Sequence, residues 1–269
     1  MFKYLRIILE CGWKLLWIYF RYIVRYARHP ERYPLEVRYK KVRELFTIVL
    51  DHFHLDWKIK GLDNLRKLEK EGKTFLLVPN HLSDLDAICI LYWCERPITF
   101  VAKKETLKFP FVGKTIKAID GYFLDRNDLR DGVRMIQDTI KKLTSGKTSV
   151  LIYPEGTRNR EPNGPLASFH PGSLKSLYRS GVPVIGIAQY GSQMPLQAST
   201  NYHRYPVHVT FFKPIEKEEY EKYNAVEFAP ILETMIAKEV YNQRFLLDSY
   251  LLLDEEHVPL KGKKAVSIQ

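Results

Sequence analysis

The sequence is poor in cysteine and has no long uninterrupted apolar run. Its three cysteines, Cys11, Cys89 and Cys94, are odd in number and lack the spacing of metal ligands, which excludes a disulfide framework and favours buried thiols in a reducing compartment. No apolar run approaches the roughly 20 residues that a membrane-spanning helix needs. No small-residue cleavage site follows a short apolar core. We therefore expect neither a simple transmembrane helix nor a signal peptide.

The chain also has no internal repeat, no low-complexity segment and no recognised nucleic-acid-binding motif. It does have 269 residues, 45% of them hydrophobic, which is enough to bury a sizeable core. The net charge of +11 alone would suit a nucleic-acid binder. However, the first 41 residues contain ten basic and only three acidic residues, so most of the excess lies in one segment. We predict one main domain with an N-terminal appendage, and no nucleic-acid partner.

The charged residues of the N-terminal segment recur with helical spacing. A helix over residues 2–28 would place them in one sector about 100° wide and leave apolar side chains on the remaining surface. They are Lys3, Arg6, Glu10, Lys14, Arg21, Arg25 and Arg28. This pattern is typical of a helix in the membrane interface, with its cations on anionic lipid. The rings suited to the headgroup level are Trp13, Trp17, Tyr19, Tyr22 and Tyr26. The alternative is a helix that packs its apolar face on the rest of the protein.

Two prolines, Pro30 and Pro34, end this helix, and a second helical pattern covers residues 35–53. Together they predict an N-terminal two-helix membrane-interface hairpin. We divide the chain into a membrane-association segment at 1–55, a main domain at 56–250 and a C-terminal tail at 251–269.

From residue 56 onward, short apolar runs alternate with helical patterns, which predicts an α/β fold with a mixed, largely parallel central sheet flanked by helices. The expected strands are WKIKG, TFLLVP, ITFVAK, GYFLD, TSVLIYP, VPVIGIAQ and VHVTFF. The expected helices cover residues 84–95, 109–118, 128–145, 171–180 and 224–247.

A histidine and two carboxylates follow the second of these strands, in the stretch LLVPNHLSDLDAI. A carboxylate on the first helical turn, at Asp86, could reach back to His81, fix its tautomer and leave the other ring nitrogen free to accept a proton. A histidine held in this way suits a general base that deprotonates a substrate alcohol. We expect Asp84 to cap the helix, although it competes with Asp86 as the partner of His81. The alternative for the whole stretch is that His81 only caps the helix or bonds a backbone carbonyl, with Asp84 as the N-cap.

Four cations follow other strands of the predicted sheet. The stretch YPEGTRNR offers Gly156 for a tight turn and Arg158 for bidentate binding of phosphate, although an ordinary turn with a surface salt bridge would explain the same residues. Arg126 follows GYFLD, and Lys103 and Lys104 end or follow ITFVAK. Together these residues predict a pocket for an anionic substrate.

At these residues the sequence resembles the glycerolipid acyltransferase family, in particular the 1-acyl-sn-glycerol-3-phosphate acyltransferases. The Asn-His-x4-Asp block is complete at Asn80, His81 and Asp86, and the Pro-Glu-Gly-Thr-Arg block is complete at 154–158. The Gly-x-x-Phe-x-x-Arg block is matched at Phe123 and Arg126, but Asp120 occupies the glycine position and Gly121 comes one place late. The fourth block is partial, since VPVIGI has Gly186 where proline is common. The resemblance covers about residues 74–190.

The resemblance implies a membrane-associated enzyme that moves a fatty acyl group from acyl-CoA or acyl carrier protein to the sn-2 hydroxyl of 1-acyl-sn-glycerol 3-phosphate, forming phosphatidic acid. His81 would be the base and Asp86 its partner. The acceptor phosphate would lie on Arg126, Glu155, Gly156, Thr157 and Arg158, with Lys103 and Lys104 as further candidates. No covalent enzyme intermediate, cofactor or metal is expected.

The expected location is the cytoplasmic face of a membrane, peripheral or monotopic, against anionic lipid. Alternatives within the same resemblance are acylation of glycerol 3-phosphate or of another lysophospholipid. A catalytically idle relative that only binds membrane is the remaining alternative, because the second and fourth blocks are imperfect.

Overall fold

The computed structural model describes residues 12–197 and 204–253, with side chains as far as 248. Seven strands form one sheet in the order β1-β7-β6-β2-β5-β3-β4. Their bounds are β1 Leu55–Lys60, β2 Leu76–Pro79, β3 Ile98–Lys103, β4 Tyr122–Leu124, β5 Ser149–Leu151, β6 Val184–Tyr190 and β7 Tyr205–Phe211. All neighbouring pairs are parallel except β6 and β7. The predicted mixed, largely parallel sheet is confirmed.

Nine helices are described, and the first of them spans residues 12–28 with a π-helical turn at Tyr19–Ile23. We label it α1. The others are α2 Leu35–His52, α3 Leu62–Lys70, α4 Asp86–Trp93, α5 Pro110–Ala118, α6 Leu129–Thr144, α7 Lys175–Ser180, α8 Lys217–Tyr220 and α9 Ala225–Leu253. Short 3-10 turns precede α2, α5 and α7 at Pro30–Arg32, Lys104–Lys108 and Pro171–Leu174, and a fourth lies at Met194–Leu196.

Helices cover both faces of the sheet. On one face α1 to α4 pack against residues such as Leu77 and Ile185 in one buried cluster, and on the other α6, α7 and α9 pack against Leu76 and Val184 in a second. The central strands β2 and β6 are buried along their whole length, which explains why they read as continuous apolar runs. The architecture is therefore a three-layer sandwich, and its N-terminal helices belong to one outer layer.

The apolar surface of α1 is divided between the protein core and the solvent. One row is buried against the rest of the protein: Leu15, Ile18, Tyr19, Ile23 and Tyr26. A second row is exposed: Trp13, Leu16, Trp17 and Phe20. Tyr19 and Tyr26, expected at a headgroup level, are buried in the protein, so that expectation was wrong for these two. Trp13 and Trp17 do face outward.

Apart from two missed helices and one longer helix, the predicted strands and helices are present in the described residues. Helices α3 and α8 were missed because their apolar signal is small: α3 has only Leu65 and Leu68 as buried apolar side chains among nine residues, and α8 has only Tyr220 among four. The last helix continues to Leu253, past the predicted end at 247 and the predicted domain boundary at 250. Residues 2–11 of the predicted N-terminal helix, which include Cys11, lie outside the described part of the chain.

Cys89 and Cys94 are free and buried, as expected. Across residues 12–197 and 204–253, none of the helices combines the length and the apolar character required to cross a bilayer.

Candidate active site

His81 and Asp86 lie at the carboxyl end of β2 and the first turn of α4. Nδ1 of His81 is 2.9 Å from Oδ2 of Asp86, which is the pairing that their spacing predicted. The imidazole is one-fifth exposed, whereas the carboxylate is fully buried. Because Nδ1 is engaged by the carboxylate, Nε2 is the ring nitrogen left to exchange a proton with a substrate.

The carboxylate of Asp86 is held by three more donors. The backbone amides of Leu82 and Ser83 donate to Oδ2 at 2.6 and 2.8 Å, and the hydroxyl of Ser192 donates to Oδ1 at 2.5 Å. Burying a carboxylate is costly unless its oxygens are hydrogen-bonded, and these donors supply such bonds. Ser192 lies just beyond β6 and has no signal in the sequence, since it is 106 residues away from its partner. It is a site residue that sequence reasoning missed.

Asp84 does not cap the following helix. Helix α4 begins at Asp86 without a side-chain cap on its N-cap residue Leu85, and it is the Ser83 hydroxyl that accepts from the Leu85 amide. The carboxylate of Asp84 is instead exposed and paired with the guanidinium of Arg158. The cap expectation was wrong because the turn between β2 and α4 carries Asp84 outward, across to the 154–158 loop.

Asn80 joins β2 to β6 by its side chain. Its amide oxygen accepts from the backbone amide of Gln189 at 2.8 Å, and its Nδ2 donates to the Gln189 carbonyl at 3.0 Å. The pair therefore continues the strand ladder through a side chain just before His81. Asn80 is fully buried, and its function is to fix the direction in which the chain leaves the sheet toward His81.

The loop after β5 closes over the backbone of His81. The amide of His81 donates to Oε1 of Glu155 at 2.6 Å, and the amide of Asn159 donates to the His81 carbonyl at 2.8 Å. Tyr153 stacks on the imidazole, with ring centroids 3.9 Å apart and planes 20° from parallel. These contacts hold His81 from three sides.

Glu155 is turned into the protein rather than toward a substrate. Its second oxygen accepts from the amide of Ala167 at 3.1 Å, and the side chain is almost wholly buried. Burial raises the pKa of Glu155 to about 7, against the two backbone donors, which favour the ionised form. The resemblance placed this residue at the acceptor phosphate, but here its carboxylate ties the two motif loops together.

Gly156, Thr157 and Arg158 form the outer part of the same loop. Gly156 has φ of 65°, and a Cβ there would come within 3.2 Å of the His170 ring, so the turn requires glycine. Thr157 and Arg158 are exposed. An open cavity of about 350 Å³ lies beside them, with Ser83, Asp84, Arg158, Arg160 and Gln193 among its lining residues. Its cationic side chains suit an anionic group.

The other predicted cations are on the same edge of the sheet but further from His81. Lys103 ends β3, and Arg126 follows β4, both parallel to β2, so their carboxyl ends meet at one edge. Three strand spacings separate β2 from β4, which is about 14 Å at 4.8 Å each. Lys104 binds Asp125 at 3.1 Å. Arg126 and Lys103 are exposed, so the cations line an edge rather than one tight pocket.

The departure from the glycine position of the second block has a structural explanation. Asp120 has φ of 56°, in the left-handed region that normally favours glycine. Its two oxygens bind the guanidinium of Arg38, at 2.7 and 2.8 Å, and Arg38 also donates to the Ala118 carbonyl. A Cβ on Gly121 would lie 2.3 Å from a side-chain atom of Ile116, so the neighbouring glycine is needed for space. Arg38 thus ties α2 to the turn that leads into β4.

Within residues 12–197 and 204–253, no three histidine, cysteine or acidic side chains lie close enough together to hold a metal ion.

The comparisons with known proteins agree on a family and a fold. Residues 56–189, about half of the chain, match the family model Acyltransferase. A probable 1-acyl-sn-glycerol-3-phosphate acyltransferase of Mycoplasma pneumoniae is 28% identical over 231 residues, 81% of this chain and 80% of that protein. A protein of the same description from Mycoplasma genitalium is 33% identical over 174 residues, 62% of this chain and 61% of that protein.

A solved structure is similar over nearly the whole chain. It is the crystal structure of the 1-acyl-sn-glycerophosphate acyltransferase PlsC from Thermotoga maritima, with a TM-score of 0.62 and 24% identity, covering 90% of this chain and 98% of that one. At this identity the likeness shows the fold, an α/β sandwich around a mostly parallel sheet. The family model and the related sequences show that the chain belongs to the Acyltransferase family.

Proposed function

We propose that this protein transfers a fatty acyl group from an acyl thioester, acyl-CoA or acyl carrier protein, to the sn-2 hydroxyl of 1-acyl-sn-glycerol 3-phosphate. The observation that carries the proposal is the His81–Asp86 pair, in which Nδ1 is held by a buried carboxylate and Nε2 remains for the substrate. The names of the related proteins support lysophosphatidic acid as the acceptor.

The reaction is a direct transfer. Nε2 of His81 takes the proton of the acceptor hydroxyl while that oxygen attacks the thioester carbonyl. Asp86 stabilises the imidazolium, and backbone amides near the active-site turn stabilise the tetrahedral oxyanion. When the intermediate collapses, the C–S bond breaks and the leaving thiolate takes the proton back from His81. The ester and a free thiol are the products, and no group on the enzyme is acylated.

The acceptor phosphate binds on the cationic edge. Arg158 is the main contact in this proposal, since a guanidinium binds phosphate in a bidentate manner and this one lines the cavity beside Ser83. Gly156 and Thr157 shape the loop around it, and Glu155 holds that loop on His81. Arg126, Lys103 and Lys104 add positive charge along the edge.

The enzyme works at the cytoplasmic face of a membrane, as a peripheral or monotopic protein. The exposed row of α1, which includes Trp13 and Trp17, would lie among the headgroups, with Lys14 and Arg21 on anionic lipid. Because α1 also packs on the core through Tyr19 and Ile23, the catalytic domain would be held close to the bilayer rather than on a flexible tether.

The proposal is tested with labelled acyl-CoA and labelled acyl carrier protein offered to wild type, His81→Ala and Asp86→Asn. The acceptor panel contains lysophosphatidic acid, glycerol 3-phosphate and lysophospholipids with other headgroups. We expect transfer to lysophosphatidic acid that falls about 10²- to 10⁴-fold in His81→Ala. His29→Ala, which removes a surface histidine between α1 and α2, is the matched control.

Equal transfer by wild type and His81→Ala would remove the proposed base. Transfer to glycerol 3-phosphate but not to lysophosphatidic acid would show that glycerol 3-phosphate is the acceptor. Absence of transfer from either donor to every acceptor would indicate a relative that binds lipid without catalysis.

A further inference from the structure

We propose that a second segment, residues 104–112, contacts the membrane together with α1, so that the bilayer-binding surface includes the catalytic domain. The surface, which we call the apolar face, consists of Trp13, Leu16, Trp17, Phe20, Leu107, Phe109 and Val112. The first four belong to α1. The last three lie on the turn after β3 and the start of α5, outside the predicted membrane-association segment at 1–55.

The members of the apolar face are large apolar side chains that are exposed to solvent. Their exposed fractions range from 39% for Leu107 to 71% for Trp13, and Phe109 is 64% exposed. Single exposed apolar residues need no explanation, but a contiguous group of seven does.

The two parts of the face are continuous because Tyr19 joins them. Its ring contacts Phe20 edge-on at 5.2 Å and stacks on Phe111 at 4.7 Å, and its hydroxyl donates to the Pro110 carbonyl at 2.9 Å. Phe111 lies between the exposed Phe109 and Val112. The buried Tyr19 therefore contacts both the exposed row of α1 and the start of α5, so the two parts of the apolar face are adjacent.

Charge identifies the occupant as an anionic phospholipid surface. Cations accompany both parts of the face: Lys14, Arg21, Lys103, Lys108, Lys114 and Lys117. Lys114 reaches over the Tyr19 ring, at 5.8 Å. Over residues 12–28 and 103–117 the one acid is Glu105, which is exposed, and the nearby Asp125, after β4, is engaged by Lys104. Aromatic and aliphatic side chains among lysines fit a bilayer interface, and each cation adds to binding of anionic lipid.

The position of the face gives it a role in the proposed reaction. Residues 104–112 follow the carboxyl end of β3, and His81 follows the carboxyl end of β2, which runs in the same direction. The face and the histidine are therefore at the same edge of the sheet. A membrane bound there would place a lipid acceptor beside the site instead of at the far end of a tether.

The test is binding of the full chain to sedimented vesicles of phosphatidylglycerol and phosphatidylcholine. Leu107→Ser/Phe109→Ser/Val112→Ser should weaken binding at least tenfold while α1 is intact. The matched control is Val226→Ser/Tyr241→Ser/Phe245→Ser on α9, whose side chains are exposed to a similar degree, and it should bind like wild type. Thermal unfolding of both variants checks that they fold.

A second measurement removes the dependence on a triple variant. Lipids brominated in their acyl chains should quench the fluorescence that Phe109→Trp adds. They should not quench the fluorescence that Tyr241→Trp adds. Unchanged vesicle binding by the first triple variant, or equal loss in the control, would overturn the proposal. So would a loss of self-association without a loss of vesicle binding, because the face would then be an interface between copies of this chain.

Membrane binding by residues 104–112 does not depend on acyl transfer; only the role of that contact in delivering an acceptor rests on the proposed function. Vesicle binding is measured without turnover, so failure of acyl transfer and failure of the second contact are seen separately. In an enzyme that does transfer acyl groups, the triple variant should retain turnover on a short-chain acceptor in solution and lose it on an acceptor embedded in vesicles.

Discussion

The hydroxyl of Ser192 donates to Oδ1 of Asp86 across 2.5 Å, from the loop after β6 to the first turn of α4. Both side chains are fully buried, and the other oxygen of Asp86 faces His81. The serine therefore sets the orientation of the carboxylate that pairs with His81, the base of the proposed reaction.

Removing this hydroxyl should slow turnover. A hydrogen bond to a charged group contributes about 1.5–3 kcal/mol, and if that energy is lost in the transition state, Ser192→Ala lowers kcat by about ten- to hundredfold. The KM for the acceptor should change little, since Ser192 lies behind Asp86. Steady-state kinetics measure kcat and KM separately. Ser176→Ala, which removes an equally buried hydroxyl in α7, is the control, and a similar loss in both variants would mean general destabilisation.

The ion pair of Asp84 with Arg158 should compete with the acceptor phosphate. Asp84→Asn frees the guanidinium, and because exposed pairs contribute about 0.2–1 kcal/mol, we expect the KM for a phosphate-bearing acceptor to fall by up to about fivefold. Arg158→Lys keeps the charge but loses the bidentate geometry, so its KM should rise. Initial rates at several ionic strengths measure both. A higher KM in Asp84→Asn would show that Asp84 assists the acceptor.

The ion pair of buried Arg38 with partly exposed Asp120 should be important for stability. Arg38→Met leaves a partly solvated carboxylate unpaired in a left-handed conformation and should destabilise the protein by about 1–3 kcal/mol. Asp120→Gly removes the cost of a positive φ at a non-glycine residue but leaves the buried guanidinium of Arg38 without its partner. The double variant removes both charges and suits the positive φ, so it should recover part of the loss. Urea denaturation of the four proteins gives the coupling energy, and additive single losses would rule out this interpretation.

Glu155 should make stability depend on pH. Its pKa is about 7 in the folded protein against an ordinary 4.5, so the folded state keeps a proton that the unfolded chain loses between these values. The free energy of unfolding should therefore fall as pH rises from about 4.5 to 7 and then level off, by up to about 3 kcal/mol from this group. Glu155→Gln has no carboxyl group to titrate at this position. The free energy of unfolding of wild type and variant is measured between pH 4.5 and 7. A difference between them that does not change with pH would contradict the raised pKa of Glu155.

Much of the site was predictable because its chemistry is local in the chain. His81 and Asp86 are five residues apart, and a strand end followed by a helix start brings them together in any fold of this class. Gly156 was assigned to a tight turn, and it has the positive φ of one. Asp84 was misjudged, since the sequence shows a carboxylate near a helix start but not the direction in which the turn carries it.

The amino-acid sequence alone determined the order of strands and helices, the parallel sheet and the collection of cations at one of its edges, because apolar periodicity and turn residues act over short distances. Tertiary structure decided which residues meet across the sheet. Ser192 and Gln189 reach the motif from more than 100 residues away, and Arg38 finds Asp120 from another helix. It also decided which side of α1 is buried, since periodicity reports that a helix is apolar but not which of its apolar rows the rest of the protein covers.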